Sequence, residues 1–152
     1  MELVEINFGI VDKRFLAKSV GLLNPPDPLI VRDDVPIEAA IKVLKAHRVG
    51  CVIVVNEVGK VVGIFSERDV ILKVGLSGID IKTVPVSQVM TPNPHTEQMT
   101  TTIAFALNMM SQGGYRHIPL VDDDDNPVGI ISVKNIVDYI VTALNDDLMR
   151  FP

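Results

Sequence analysis

A chain of 152 residues with 47% hydrophobic side chains is long enough to bury a sizeable core, and short enough to be one domain or two small ones packed together. Acidic residues number 19 against 14 basic, and the resulting net charge of −5 provides no overall positive field for nucleic acid or an anionic membrane. The single cysteine, Cys51, forms no internal disulfide, and neither a basic-then-apolar leader nor an apolar run of about 18 residues is present, so the expectation is a cytoplasmic protein without a membrane span.

Residues 1–22 read as an N-terminal extension, in which VDKRFLAKSVGLL has the pattern of a short amphipathic helix suited to covering a subunit edge. A first unit, 23–86, opens on the Pro-rich stretch NPPDPLIV, too stiff and too poor in donors for a helix interior and suited to an extended entry segment. Ile37, Ala40, Ile41 and Leu44 then fall at helical spacing between Pro36, placed in the first turn, and Arg48. CVIVV and KVVGIF, joined by the turn NEVG, predict a buried hairpin, after which Ser66 opens a helix over 67–74. A second unit, 87–147, repeats this order. MTPNPHTE is extended, Ile103, Ala104, Leu107 and Met110 mark a helix ended by Gly113 and Gly114, HIPLV and PVGII flank DDDDN, and Ser132 opens a helix over 133–148. Residues 148–152 form a tail.

The two units align without a gap. GIFSERD at Gly63 and GIISVKN at Gly129 set an offset of 66, which also superposes Pro26 on Pro92, Ile37 on Ile103, Ala40 on Ala106, Val55 on Val121 and Val62 on Val128. That period exceeds the roughly 20 to 50 residues of solenoid repeats, so each strand-helix-strand-strand-helix unit is expected to face its copy across one shared core, giving an α+β protein.

The chemistry concentrates where the hairpins run into helices. A helix start exposes unpaired N–H groups and the positive end of the dipole, which favour a phosphate. Asp69, three residues after Ser66, can accept bonds from both hydroxyls of a ribose, with the basic Arg68 beside it. Ser-x-x-Asp is also the pattern of a capping box, in which both side chains satisfy backbone donors and bind nothing. Arg116 and His117 in YRHIP begin a buried strand, either as exposed strand-end residues or as phosphate donors.

Other polar features carry less. Cys51 lies in an apolar run as a small core residue, His47 and His95 lack a second ligand at metal spacing, and Asp122 to Asp125 lack the glycine and terminal glutamate of a calcium loop. Met109 and Met110 read as packing. No catalytic triad, carboxylate pair or P-loop is discernible, so no enzyme activity is expected.

HRVGCVIVV, GIFSERD, VMTPNP, YRHIPLVD and GIISVKN, in this order from about Leu23 to Leu144, resemble tandem cystathionine-β-synthase (CBS) domains, the pairs called Bateman modules. The resemblance implies two β-α-β-β-α units related by a pseudo-twofold axis, association into a homodimer, and clefts for AMP, ADP or ATP, or in some members S-adenosylmethionine. It implies phosphate contacts from Ser66 and Ser132, ribose contacts from Asp69 and Asn135, and phosphate contacts from Arg116 and His117. Adenine would lie against Ile30, Cys51 and Val52 in one cleft and against Thr96, Ile118 and Pro119 in the other. Asn135 departs from the family's aspartate and is expected to weaken its cleft. Two roles follow: a ligand-sensing module read by an unidentified effector protein, or a structural dimerisation module with vestigial clefts.

Overall fold

The structure, a computed structural model, describes residues 11–149; residues 1–10 of the extension and 150–152 of the tail lie outside the described residues. In chain order it comprises helix α1 (Lys13–Leu16), a 3-10 turn (Val20–Leu23), strand β1 (Ile30–Arg32), α2 (Ile37–His47), β2 (Cys51–Val55) and β3 (Val61–Ser66). There follow α3 (Glu67–Asp69), continued by a π turn (Val70–Val74), a second 3-10 turn (Val86–Gln88), β4 (Thr91–Pro92), α4 (Ile103–Gly113), β5 (His117–Val121), β6 (Pro127–Ser132) and α5 (Val133–Leu148).

The helical stripes fold inward as their spacing predicts: α2 buries Ile37, Ala40 and Leu44, and α4 buries Ile103, Ala106 and Met110, each pair 66 residues apart. Ala106, not Ala104, completes the second stripe, because Ala104 faces solvent. Pro36 is the residue before α2 rather than part of its first turn, since its ψ of 147° is extended. Both helices end on a left-handed residue, Gly114 after α4 and Arg48, at φ 53°, after α2. Glycine takes that conformation without a Cβ penalty and arginine does not.

β2 pairs antiparallel with β3, and β5 with β6, and both hairpins carry a bulge at the same place, Val54/Val55 and Leu120/Val121. Their turns are built alike. Asn56 Oδ1 accepts from the Val58 and Lys60 amides, Asp122 Oδ1 from those of Asp124 and Asn126, and positive φ falls on Gly59 and Asp125. The acidic run is thus a side-chain-stabilised turn. Lys60 reaches across to Asn126 Oδ1 at 3.0 Å, so the two turns, related by the repeat, meet at the pseudo-twofold axis. The first sheet runs β1-β2-β3-β4, with β1 parallel to β2. In the second unit the leading strand shrinks to one parallel bridge, Glu97 to Leu120.

Two cores form rather than one shared core. Val52, Val54 and Phe65 pack with Ile37 and Leu44 in the first, and Ile118, Leu120 and Ile131 pack with Ile103 and Met110 in the second. Each helix pair closes over its own hairpin, and the units exchange the segments that precede them. Ser19 bridges to Thr102 at the start of α4 and Pro85 to Pro36 at the start of α2, pairs again related by 66. Phe15 and Val20 consequently lie buried in the second core, and Val86 in the first. The symmetry therefore runs into the stretch 13–23, where few side chains match but Val20 and its counterpart Val86 are both buried. In place of an amphipathic helix the structure has the four-residue α1 and a 3-10 turn.

Candidate functional site

A cleft of about 440 Å³ lies on the pseudo-twofold axis at the ends of the hairpins, with repeat-related residues facing one another across it: Ser66 with Ser132, Arg68 with Lys134, and Gly50 with Arg116. Its volume falls within the range of small-ligand sites. Both helix starts are tied down beneath it, since the Glu67 amide donates to Gly50 O and the Val133 amide to Arg116 O, each at 3.1 Å. Two of the first three α3 amides, those of Glu67 and Asp69, are thus engaged, and the anion-binding capacity of the cleft rests on side chains more than on helix ends.

Ser66 and Asp69 form a complete capping box. Asp69 Oδ2 accepts from the Ser66 amide and hydroxyl, both at 2.9 Å, while Oδ1 accepts from the Thr91 hydroxyl at 3.0 Å and from Lys73 Nζ at 2.7 Å. The carboxylate is only 5% exposed. Ser132 and Asn135 reproduce the box, with Asn135 Oδ1 accepting from the Ser132 amide at 2.9 Å and hydroxyl at 2.7 Å. The outer partners are not reproduced. The repeat counterpart of Lys73 is Tyr139, stacked on Phe15 with centroids 5.8 Å apart, and that of Thr91 is Pro25. A neutral amide suits a position with no ammonium to face.

Arg68, Lys73, Arg116 and Lys134 outnumber Glu67 and Asp69 around the cleft, an electropositive lining on an acidic protein. Lys134 also pairs with Asp138 and Arg68 Nη1 bonds to Gly114 O, which anchors both at the rim. His117 sits beside Gly50, where a Cβ would meet its imidazole at 3.5 Å. Burial and then the Arg116 charge push the His117 pKa below its usual value, against the opposing pull of Glu67. Burial, helped by the Asp69 charge, pushes the Cys51 thiol up to about 12, which favours its protonated form at neutral pH.

A family model for the CBS domain matches this chain twice, over residues 20–75 and 86–142. The chain belongs to the CBS-domain family. Over 122 residues it is 28% identical to an uncharacterized protein of Methanopyrus kandleri, a match covering 76% of this chain and 62% of that one, less than two thirds of the relative's length. The crystal structure of a CBS-domain containing protein from Agrobacterium tumefaciens is 32% identical with a TM-score of 0.73, covering 84% of this chain and 97% of that one. A CBS domain protein from Pyrobaculum aerophilum, solved in complex with AMP, has the same fold at 22% identity and a TM-score of 0.71, covering 77% and 88% of the two chains.

Of the residues singled out in the sequence, this CBS pair brings Ser66, Arg68, Asp69, Arg116, His117 and Ser132 into one cleft. Asn135 stands behind Ser132, bonded to it. Val52 and Ile118 are fully buried in the two cores, Cys51 and Pro119 are buried, Thr96 is half-buried and Ile30 lies exposed on the first strand. The apolar lining is instead Ile64, Leu72, Tyr115 and Val133. The Tyr115 ring lies against Gly113, where a Cβ would meet it at 2.0 Å, and its hydroxyl is buried with no hydrogen-bond partner. Sequence reasoning missed Lys73 and Thr91. The signal for Lys73 was its i,i+4 spacing from Asp69; Thr91, 22 residues further on, offered none.

Proposed function

We propose that this CBS pair is a regulatory module whose central cleft binds an adenosine-containing anion, AMP, ADP or ATP or S-adenosylmethionine, and whose occupancy biases the placement of the two units for an effector protein to read. One observation carries this reading: Asp69, the Arg116–His117 pair and the serines of both motifs converge on a single electropositive cleft. In this reading Asp69 takes ribose hydroxyls, while Arg68, Arg116 and His117 take phosphate through charge-assisted bonds. The AMP bound by the Pyrobaculum relative supports the ligand class. The Asn135 side of the cleft is the weaker one, because Gly50 and Cys51 stand where the Asp69 side has Arg116 and His117, and Tyr139 where it has Lys73. The expected stoichiometry is one nucleotide per chain. A ligand moves the units only by binding one geometry better than another. No catalytic role is assigned, and Cys51 favours its protonated form at neutral pH.

Thermal shift with AMP, ADP, ATP, S-adenosylmethionine and NAD, alongside mass spectrometry of whatever nucleotide co-purifies, tests the reading. A true ligand at a hundredfold its Kd stabilises by about 2.7 kcal/mol. No shift with any of them leaves the structural reading, a dimerisation module, which one feature favours: Ile71 and Leu72 on the π turn, and Val137 and Val141 on α5, are large, apolar and exposed.

A further inference from the structure

The carboxylate of Asp69 meets an incoming ribose already saturated. A carboxylate offers about four acceptor sites, and here two are taken by Ser66, one by Thr91 and one by Lys73. A ribose diol reaching Oδ1 must displace a donor. Lys73 is the costlier to move, because it balances a charge buried to 5% exposure and also bonds Met90 O at 3.1 Å and Thr91 Oγ1 at 3.3 Å. Thr91 contributes a single neutral hydroxyl from an exposed two-residue strand at the sheet edge.

The geometry points to Thr91 as a ligand-displaced latch: a ribose on Asp69 takes the place of the Thr91 hydroxyl and loosens β4, the strand by which the inter-unit linker is held on the first sheet. This rests on the adenosine-ligand reading above. Besides the Lys73 bonds to Met90 O and Thr91 Oγ1, few bonds hold β4 once the Thr91 hydroxyl leaves Asp69. It pairs with β3 at Gly63 and Ile64, the Asn93 amide donates to Val62 O at 3.0 Å, and the Met90 side chain lies on Gly63, where a Cβ would come within 2.3 Å of its sulfur. The glycine that opens GIFSERD is thus the seat of the linker as well as part of the motif. Just upstream, Val86 and Val89 are buried in the first core, so a change at Thr91 reaches the packing of that core through contiguous contacts. The second unit has no such latch, with Pro25 and Tyr139 at the corresponding positions.

The test combines calorimetric titration of wild type and Thr91→Val with AMP and with ATP, and hydrogen exchange at the Asn93 amide. Valine keeps the shape of threonine and removes only the hydroxyl, and circular dichroism checks that the variant folds. Removing the competitor for a charged acceptor is expected to tighten nucleotide binding about tenfold. Saturating nucleotide is expected to speed Asn93 exchange in wild type, and ligand-free Thr91→Val to exchange faster than ligand-free wild type. An affinity that stays the same or falls, or an Asn93 amide left equally or better protected by nucleotide, overturns the latch while the cleft reading stands. Failure of wild type to bind any of AMP, ADP, ATP and S-adenosylmethionine overturns both.

Discussion

Asp69 and Asn135 occupy repeat-related positions, bond to their serines in the same way, and differ in what surrounds them. Around Asp69 stand Lys73, Thr91 and, across the cleft, Arg116 and His117; around Asn135 the equivalents are neutral. Asp69→Asn is therefore expected to weaken AMP or ATP binding about tenfold, because a hydrogen bond to a charged acceptor is worth about twice a neutral one. Calorimetry measures it, and unchanged affinity would remove Asp69 from the ribose role. His117 sets a pH dependence whose sign follows from its lowered pKa. The fold disfavours imidazolium, so the unfolded chain binds more protons below about pH 6.5 and His117 makes stability fall as the pH drops through that value. Bound phosphate acts oppositely by drawing a proton onto His117, and nucleotide affinity should rise on acidification through the same window. In His117→Gln titrated from pH 7.5 to 5.5, both of these contributions should vanish.

At the level of elements, the stretch 13–23 shows how a segment with little sequence similarity becomes part of a symmetric design. Phe15 is buried in the second core and stacked on Tyr139. Phe15→Ala is expected to cost about 3 to 5 kcal/mol in denaturant unfolding, as for a core phenylalanine, whereas a dispensable extension would lose almost nothing. The C-cap of α2 is an unforced weakness. Arg48 holds a left-handed conformation that Gly114 supplies at the end of α4. Arg48→Gly should stabilise the protein by about 1 kcal/mol, read as a rise in Tm, because it removes the Cβ penalty. The hairpins were legible from short apolar runs and turn residues, and the stripes of α2 and α4 from their spacing. The π turn was not. It depends on the Gly75 amide reaching Val70 O at 2.8 Å, a choice between nearly equal local hydrogen-bond patterns that composition does not encode.

For the whole molecule, the π turn and α5 each expose large apolar side chains. Ile71 is 72% exposed and Leu72 69%. A homodimer is the expected state, measurable by light scattering, and Ile71→Glu with Val137→Glu should shift it to monomer while leaving the fold intact by circular dichroism. No helix among the described residues is long and apolar enough to cross a membrane.

The sequence by itself determined the duplicated unit, its hairpins, its buried helical faces and, in the cleft, Ser66, Arg68, Asp69, Arg116, His117 and Ser132. These depend on local spacing and on a repeat that keeps its offset of 66 residues without a gap. Only the tertiary structure decided that there are two cores, that each unit takes in the segment preceding its partner, and that the capping box of Asp69 is closed by Lys73 and Thr91. The physical reason is common to all three. Burial and hydrogen-bond satisfaction are settled between groups far apart in the chain, and a residue such as Thr91 acquires its partner only when the linker is laid along the sheet edge.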